Sequence, residues 1–216
     1  MDFETIDVTL VTSLLLLLLI GMGPKIALVP FLEKTKGMDA KKQREIGTRM
    51  VKIAVLTAFI LFATGSFLMT LLHISGGAVS IAGGIVLAIL ALKMTLRPDE
   101  PPVEANDESP IDHHQMAIYP LAIPYLLNPV GITVLIIASA EAQSFKATLL
   151  MVALILLVGA LDWVVFRNID KLAKRLKPTV LIVSEIVFGI LLTAVAVQLF
   201  VYGLGSLGII EAAGGH

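Results

Sequence analysis

The sequence predicts an all-α membrane protein: six transmembrane helices in two inverted three-helix repeats, the first and fourth helices broken at proline. Three observations predict it. Hydrophobic residues make up 57% of the 216-residue chain and charged residues 15%, against about 25% charged in a soluble domain. Six apolar stretches approach or exceed the roughly 20 residues that a bilayer crossing needs. Two prolines interrupt matched stretches: Pro24 and Pro129 lie 105 residues apart, as do Gly84 and Gly189.

The first span is expected at 8–32. The residues before it include Asp2, Glu4 and Asp7, whereas a cleavable signal wants a basic start, so the Leu14–Leu19 run is read as a retained helix. Spans two and three are expected at 51–72 and 77–96. Gly76, Ser80, Gly84 and Ala88 place a small residue at every fourth position of the third, which suits close helix packing. Spans four to six follow at 116–140, 147–166 and 180–203. Residues 1–97 and 116–216 are the two repeats. Between them 98–115 is a linker rich in Pro and acid, without Lys or Arg, a composition that cannot bury a core.

Charge sorts along this order. Fourteen of the sixteen Lys and Arg residues fall in loops one, three and five, leaving Lys146 in loop four and Lys25 inside a span. By the positive-inside rule both termini lie outside the cytoplasm. The basic loops are read as topology and lipid contact, with no nucleic-acid partner. Three spans per half is an odd number, so the second repeat enters from the opposite side, an arrangement that carriers use.

The absence of cysteine excludes disulfides, thiol catalysis and cysteine metal sites. Asp112-His113-His114 lacks metal-ligand spacing, and the spans hold no Ser/His pair or His/Glu cluster. Neither a metal, a cofactor nor an enzyme is expected.

The breaks carry the candidate chemistry. Proline is favoured as the first residue of a helix, and Gly23 and Asn128 suit the capping position before it. Each broken segment then reads as two half-helices, the second starting at Pro24 or Pro129. Helix N-termini attract anions through free N–H groups and the dipole. The expected substrate site comprises Gly23, Pro24, Lys25, Asn128, Pro129 and Gly131, with a carboxylate between the two helix ends. Lys25 in the first turn, where a cation is unfavourable, calls for a bound anion or a protein acid. Asp162 and Glu185 are the candidates for that ion pair or for proton coupling. A pairing of Asp162 with Arg167, and snorkelling of Lys25 to the surface, are the plainer readings. Trp163 and Tyr202 are expected as interfacial anchors.

Gly23-Pro24 followed by Ala27 and Pro30-Phe31-Leu32, Ile81-Ala82-Gly83-Gly84, Pro120-Leu121-Ala122-Ile123-Pro124 leading to Asn128-Pro129, and Gln198 together resemble the MarC family of integral membrane proteins over essentially the whole chain. The resemblance implies a six-helix inner-membrane protein, with relatives that move small neutral amino acids such as glycine and alanine, with protons. The family pattern has Asn-Pro in the first half and Gly-Pro-Gly in the second; here Asn stands in the second half. The function expected is a proton-coupled secondary transporter of a small carboxylate-bearing solute, embedded in the bilayer. The alternatives are a channel or passive pore, and a structural or regulatory membrane protein.

Overall fold

In a computed structural model, residues 7–96, 113–173 and 178–210 are described, their side chains excepting those at 113, 173, 178–182, 184 and 185. Most of the linker and part of loop five lie outside them, as do Asp112 and the His113 side chain. The described residues are helical and contain no strand.

Helix α1 (Val8–Met22) starts at Asp7, whose Oδ1 accepts from the Leu10 N–H at 2.7 Å. It ends at Gly23, and α2 (Pro24–Lys34) follows directly. α3 (Ala40–Leu72) is capped by Asp39 and runs 33 residues, about 50 Å at 1.5 Å per residue. That outlasts a hydrocarbon core of roughly 30 Å. The expected loop one is therefore largely helix: Lys41, Lys42, Arg44 and Arg49 ride on the first turns of α3. Helix formers without proline after the Asp39 cap explain the extension. His73 ends α3 in the left-handed region (φ 54°).

α4 (Gly76–Leu96) follows, and α5 (His113–Met116) opens the second half. The expected fourth span departs most from a straight helix. Residues Ala117–Leu126 form a wide coil in which Tyr119 and Ile123 take extended φ/ψ. Each precedes a proline, Pro120 or Pro124, which disfavours the helical region for the residue before it. Both of these X-Pro peptide bonds are cis. α6 (Pro129–Glu141) then leaves at 72° to His114–Leu126. α7 (Phe145–Arg167), the short α8 (Ile169–Ala173) and α9 (Pro178–Ser206) complete the chain. Among the described residues five spans are long and apolar enough to cross a membrane, or six when the bent pair counts as one.

The halves interleave. α3 packs on α6 and α7, α1 on α6 and α7, and α4 chiefly on α9. The basic ends of α3 and α7 meet: Phe31 and Phe166 rings lie 5.1 Å apart, a side chain on Gly47 would strike Phe166, and Arg44 pairs with Asp170 at 2.8 Å. That guanidinium holds the Asp170 carboxyl below its ordinary range. At the opposite end the Ser66 N–H donates to Ser139 Oγ at 2.8 Å, joining α3 to α6.

α4 and α9 touch backbone to backbone. A Cβ on Gly84 would lie 2.8 Å from the Ala196 oxygen and 3.3 Å from the Phe200 nitrogen. A Cβ on Gly189 would lie 3.0 Å from the Ala91 oxygen and 3.2 Å from the Thr95 nitrogen. Small residues let the helices approach this closely, and dispersion and packing replace the hydrophobic drive that lipid does not supply.

Candidate functional site

The first break is local. Gly23 is extended (φ −80°, ψ 163°), its N–H still closes the last turn of α1 onto the Leu19 oxygen at 2.9 Å, and Pro24 restarts the helix. Proline brings no N–H to that end, and no side chain caps it. The first turn of α2 is thus the open helix N-terminus of the site.

The second break is closed. Asn128 is fully buried. Its Oδ1 accepts from the Val130 N–H at 2.9 Å and, more weakly, from the Gly131 N–H at 3.4 Å. The Ile132 N–H reaches the Asn128 oxygen at 3.0 Å. The early donors of α6 therefore stay inside the protein. The two helix ends, expected to share one carboxylate, differ: α6 is capped by its own Asn, α2 by nothing.

Asn128 also joins the breaks. Its Nδ2 donates to the Ile20 oxygen at 2.7 Å and its backbone N–H to the Gly21 oxygen at 2.9 Å. These are C-terminal carbonyls of α1 that lack helical donors because the helix stops. Gly21 and Gly131 then meet backbone against backbone, and a Cβ on either would collide with the other. The breaks face each other in direct contact. Ile20 and Gly21 belong to the broken stretch at 20–25 but lie outside the expected substrate site; the Gly21-Met22-Gly23 spacing is the signal that marks them.

Lys25 is exposed, its Nζ 5.2 Å from the Phe188 ring centroid on α9. Asp162 is fully buried on α7, and neither carboxylate oxygen has a hydrogen-bond partner among the described residues. The expected Lys25–Asp162 pairing does not form. Lys25 points toward α9, whereas the neighbours of Asp162 one turn away on α7, Gly159 and Phe166, pack on Val55 and Gly47 of α3. Asp162 also does not pair with Arg167, whose guanidinium lies 4.6 Å over the Trp163 ring. Glu185 is on α9 three residues before Phe188, with its side chain outside the described ones. Among the described residues no group of three or more His, Asp or Glu could hold a metal.

The family model described as MarC family integral membrane protein matches residues 8–207. A UPF0056 membrane protein of Methanocaldococcus jannaschii is 30% identical over 168 residues, covering 76% of this chain and 81% of that one. The UPF0056 inner membrane protein YhgN of Escherichia coli K12 is 27% identical over 194 residues, covering 90% and 95%. A UPF0056 membrane protein of Pyrococcus abyssi is 26% identical over 170 residues, covering 78% and 81%. No solved structure matches the chain.

Proposed function

This chain belongs to the MarC family of integral membrane proteins, and on that premise we propose that it is a secondary transporter of small neutral amino acids of the glycine and alanine kind, coupled to protons. The observation that carries the reading is the meeting of two interrupted helices at Gly21, Asn128 and Gly131. Irregular backbone at membrane depth is tolerated where it is buried in protein or lines a cavity. Discontinuous helices with their positive ends at the midplane are the usual substrate cradle of carriers.

The substrate carboxylate goes to the uncapped start of α2, at Gly23, Pro24 and Lys25. Asn128, Pro129 and Gly131 form the opposing wall. The Gly21–Gly131 contact closes this place, so passage requires the breaks to part. A standing pore there is the weaker alternative. Asp162 takes the proton, because it is a buried acid with no hydrogen-bond partner among the described residues, and an acid in a membrane interior is functional by default. Glu185 is the second candidate.

The repeat has support from packing as well as register. A shift of 105 residues carries Ala91 onto Ala196 and Thr95 onto Phe200. The contact of Gly84 with Ala196 and Phe200 is thereby repeated by Gly189 with Ala91 and Thr95, the halves exchanged. The loop charges favour both termini outside the cytoplasm, and the printed name of the Escherichia coli relative favours the cell inner membrane.

Proteoliposomes test the reading. Labelled alanine or glycine is expected to enter with saturable kinetics and to accumulate when a pH gradient is imposed. Asp162→Asn is expected to keep exchange between pools of substrate and to lose gradient-driven accumulation. Absence of saturable flux across a broad amino acid panel would sink the proposal.

A further inference from the structure

We infer that the cavity between the basic ends of α3 and α7 is a binding site for the headgroup of an anionic phospholipid. The site is independent of the transport reading. Its volume is about 850 Å³, within the roughly 300–1,000 Å³ of ligand sites. Helical spacing builds it. Arg44, Thr48 and Lys52 follow one another at intervals of four on α3, with Arg49 beside them, and Trp163 and Arg167 stand one turn apart on α7.

Among the described residues the lining holds four bases and one acid, Glu45, so its net charge selects an anion. Two of the bases are committed within the protein. Arg44 is gripped by Asp170 through two bonds, at 2.8 and 3.3 Å, and Arg49 lies against His114. Lys52 forms no ion pair among the described residues, and Arg167 is steadied on the Trp163 ring with its N–H edges available. An ammonium and a planar guanidinium are the donors that suit phosphate oxygens.

What lies next to the cavity favours a lipid over free phosphate. Along α3 the face of Lys52 continues as Leu56 and Ile60, exposed by 60% and 52%. Along α7 the face of Trp163 continues to Leu156, exposed by 53%. Charge followed by exposed apolar side chains on both helices matches a headgroup followed by acyl chains. An indole at the boundary sits where Trp collects in membrane proteins, and basic pockets between spanning helices bind anionic headgroups.

Trp163 is the only tryptophan in the chain, so its fluorescence reports this place alone. In reconstituted vesicles, phosphatidylglycerol with brominated acyl chains is expected to quench Trp163 at a several-fold lower mole fraction than brominated phosphatidylcholine. Lys52→Gln combined with Arg167→Gln is expected to bring the two lipids to parity, and Lys52→Arg to retain the preference. Millimolar inorganic phosphate at constant ionic strength is expected to leave the preference intact. Equal quenching by both lipids in the unmodified protein overturns the site. Loss of the preference with phosphate assigns the cavity to the free anion and overturns the lipid.

Discussion

Asn128 spends its side chain in two directions at once. The carbonyl oxygen caps α6 and the amide nitrogen closes the end of α1. Losing the cap costs about 1 kcal/mol, and leaving the Ile20 oxygen buried without a donor costs about 1–3 kcal/mol. Asn128→Ala is therefore expected to destabilise by about 3 kcal/mol, a fall of about 6–12 °C in thermal unfolding in detergent for a chain of this size. Serine caps nearly as well as asparagine, but its one short hydroxyl does not extend to Ile20 as Nδ2 does. Asn128→Ser is expected to recover the cap's share alone. An unchanged melting temperature in Asn128→Ala would show that neither bond matters. The capping role of Asn128 was legible from the Asn128-Pro129 pair. Its bond to Ile20 was not, because nothing local to either residue encodes it.

At the scale of elements, the α4–α9 pair depends on glycine where Cβ atoms would meet main chain. At Gly84 the obstacle is the Ala196 carbonyl and the Phe200 amide, and backbone cannot move aside as a flexible side-chain tip can. Gly84→Leu is expected to cost about 3 kcal/mol, at the upper end of ordinary overpacking. It should lower the yield of monodisperse protein. Ile85→Leu, on the neighbouring exposed face, should change neither. The small-residue spacing of α4 was readable in the sequence, and it identified a close-packed face. Two other elements were misread for separate reasons. α3 begins eleven residues before its apolar stretch, because helix propensity continues after hydrophobicity ends. The segment before α6 is broken at Tyr119 and Ile123 as well as at the cap, because each precedes a proline.

For the whole molecule, basic residues gather at the end where α2 finishes, α3 begins and α7 finishes. The chain has no cysteine, so single introduced thiols report sidedness without background. In intact cells a membrane-impermeant maleimide is expected to label Gln143→Cys, between α6 and α7, and to spare Lys41→Cys at the start of α3. The reverse pattern would overturn the orientation assigned from loop charge. The interleaving of the halves also bears on function. Each half of the chain contributes one of the two breaks, so neither half alone holds the proposed site.

The sequence by itself determined the membrane class, the order of the apolar segments, the helix starts at Pro24 and Pro129 and the family. Runs of apolar residues, prolines and caps act through near neighbours, so a linear pattern suffices to read them. Only the tertiary structure decided that Gly21 meets Gly131, that Asn128 holds a carbonyl 108 residues away, and that Lys25 reaches Phe188 while Asp162 is buried on α7 with no hydrogen-bond partner among the described residues. Those outcomes depend on which helix faces come together. In a membrane protein that choice is made by close packing and backbone satisfaction between distant segments, not by a hydrophobic stripe along any one of them.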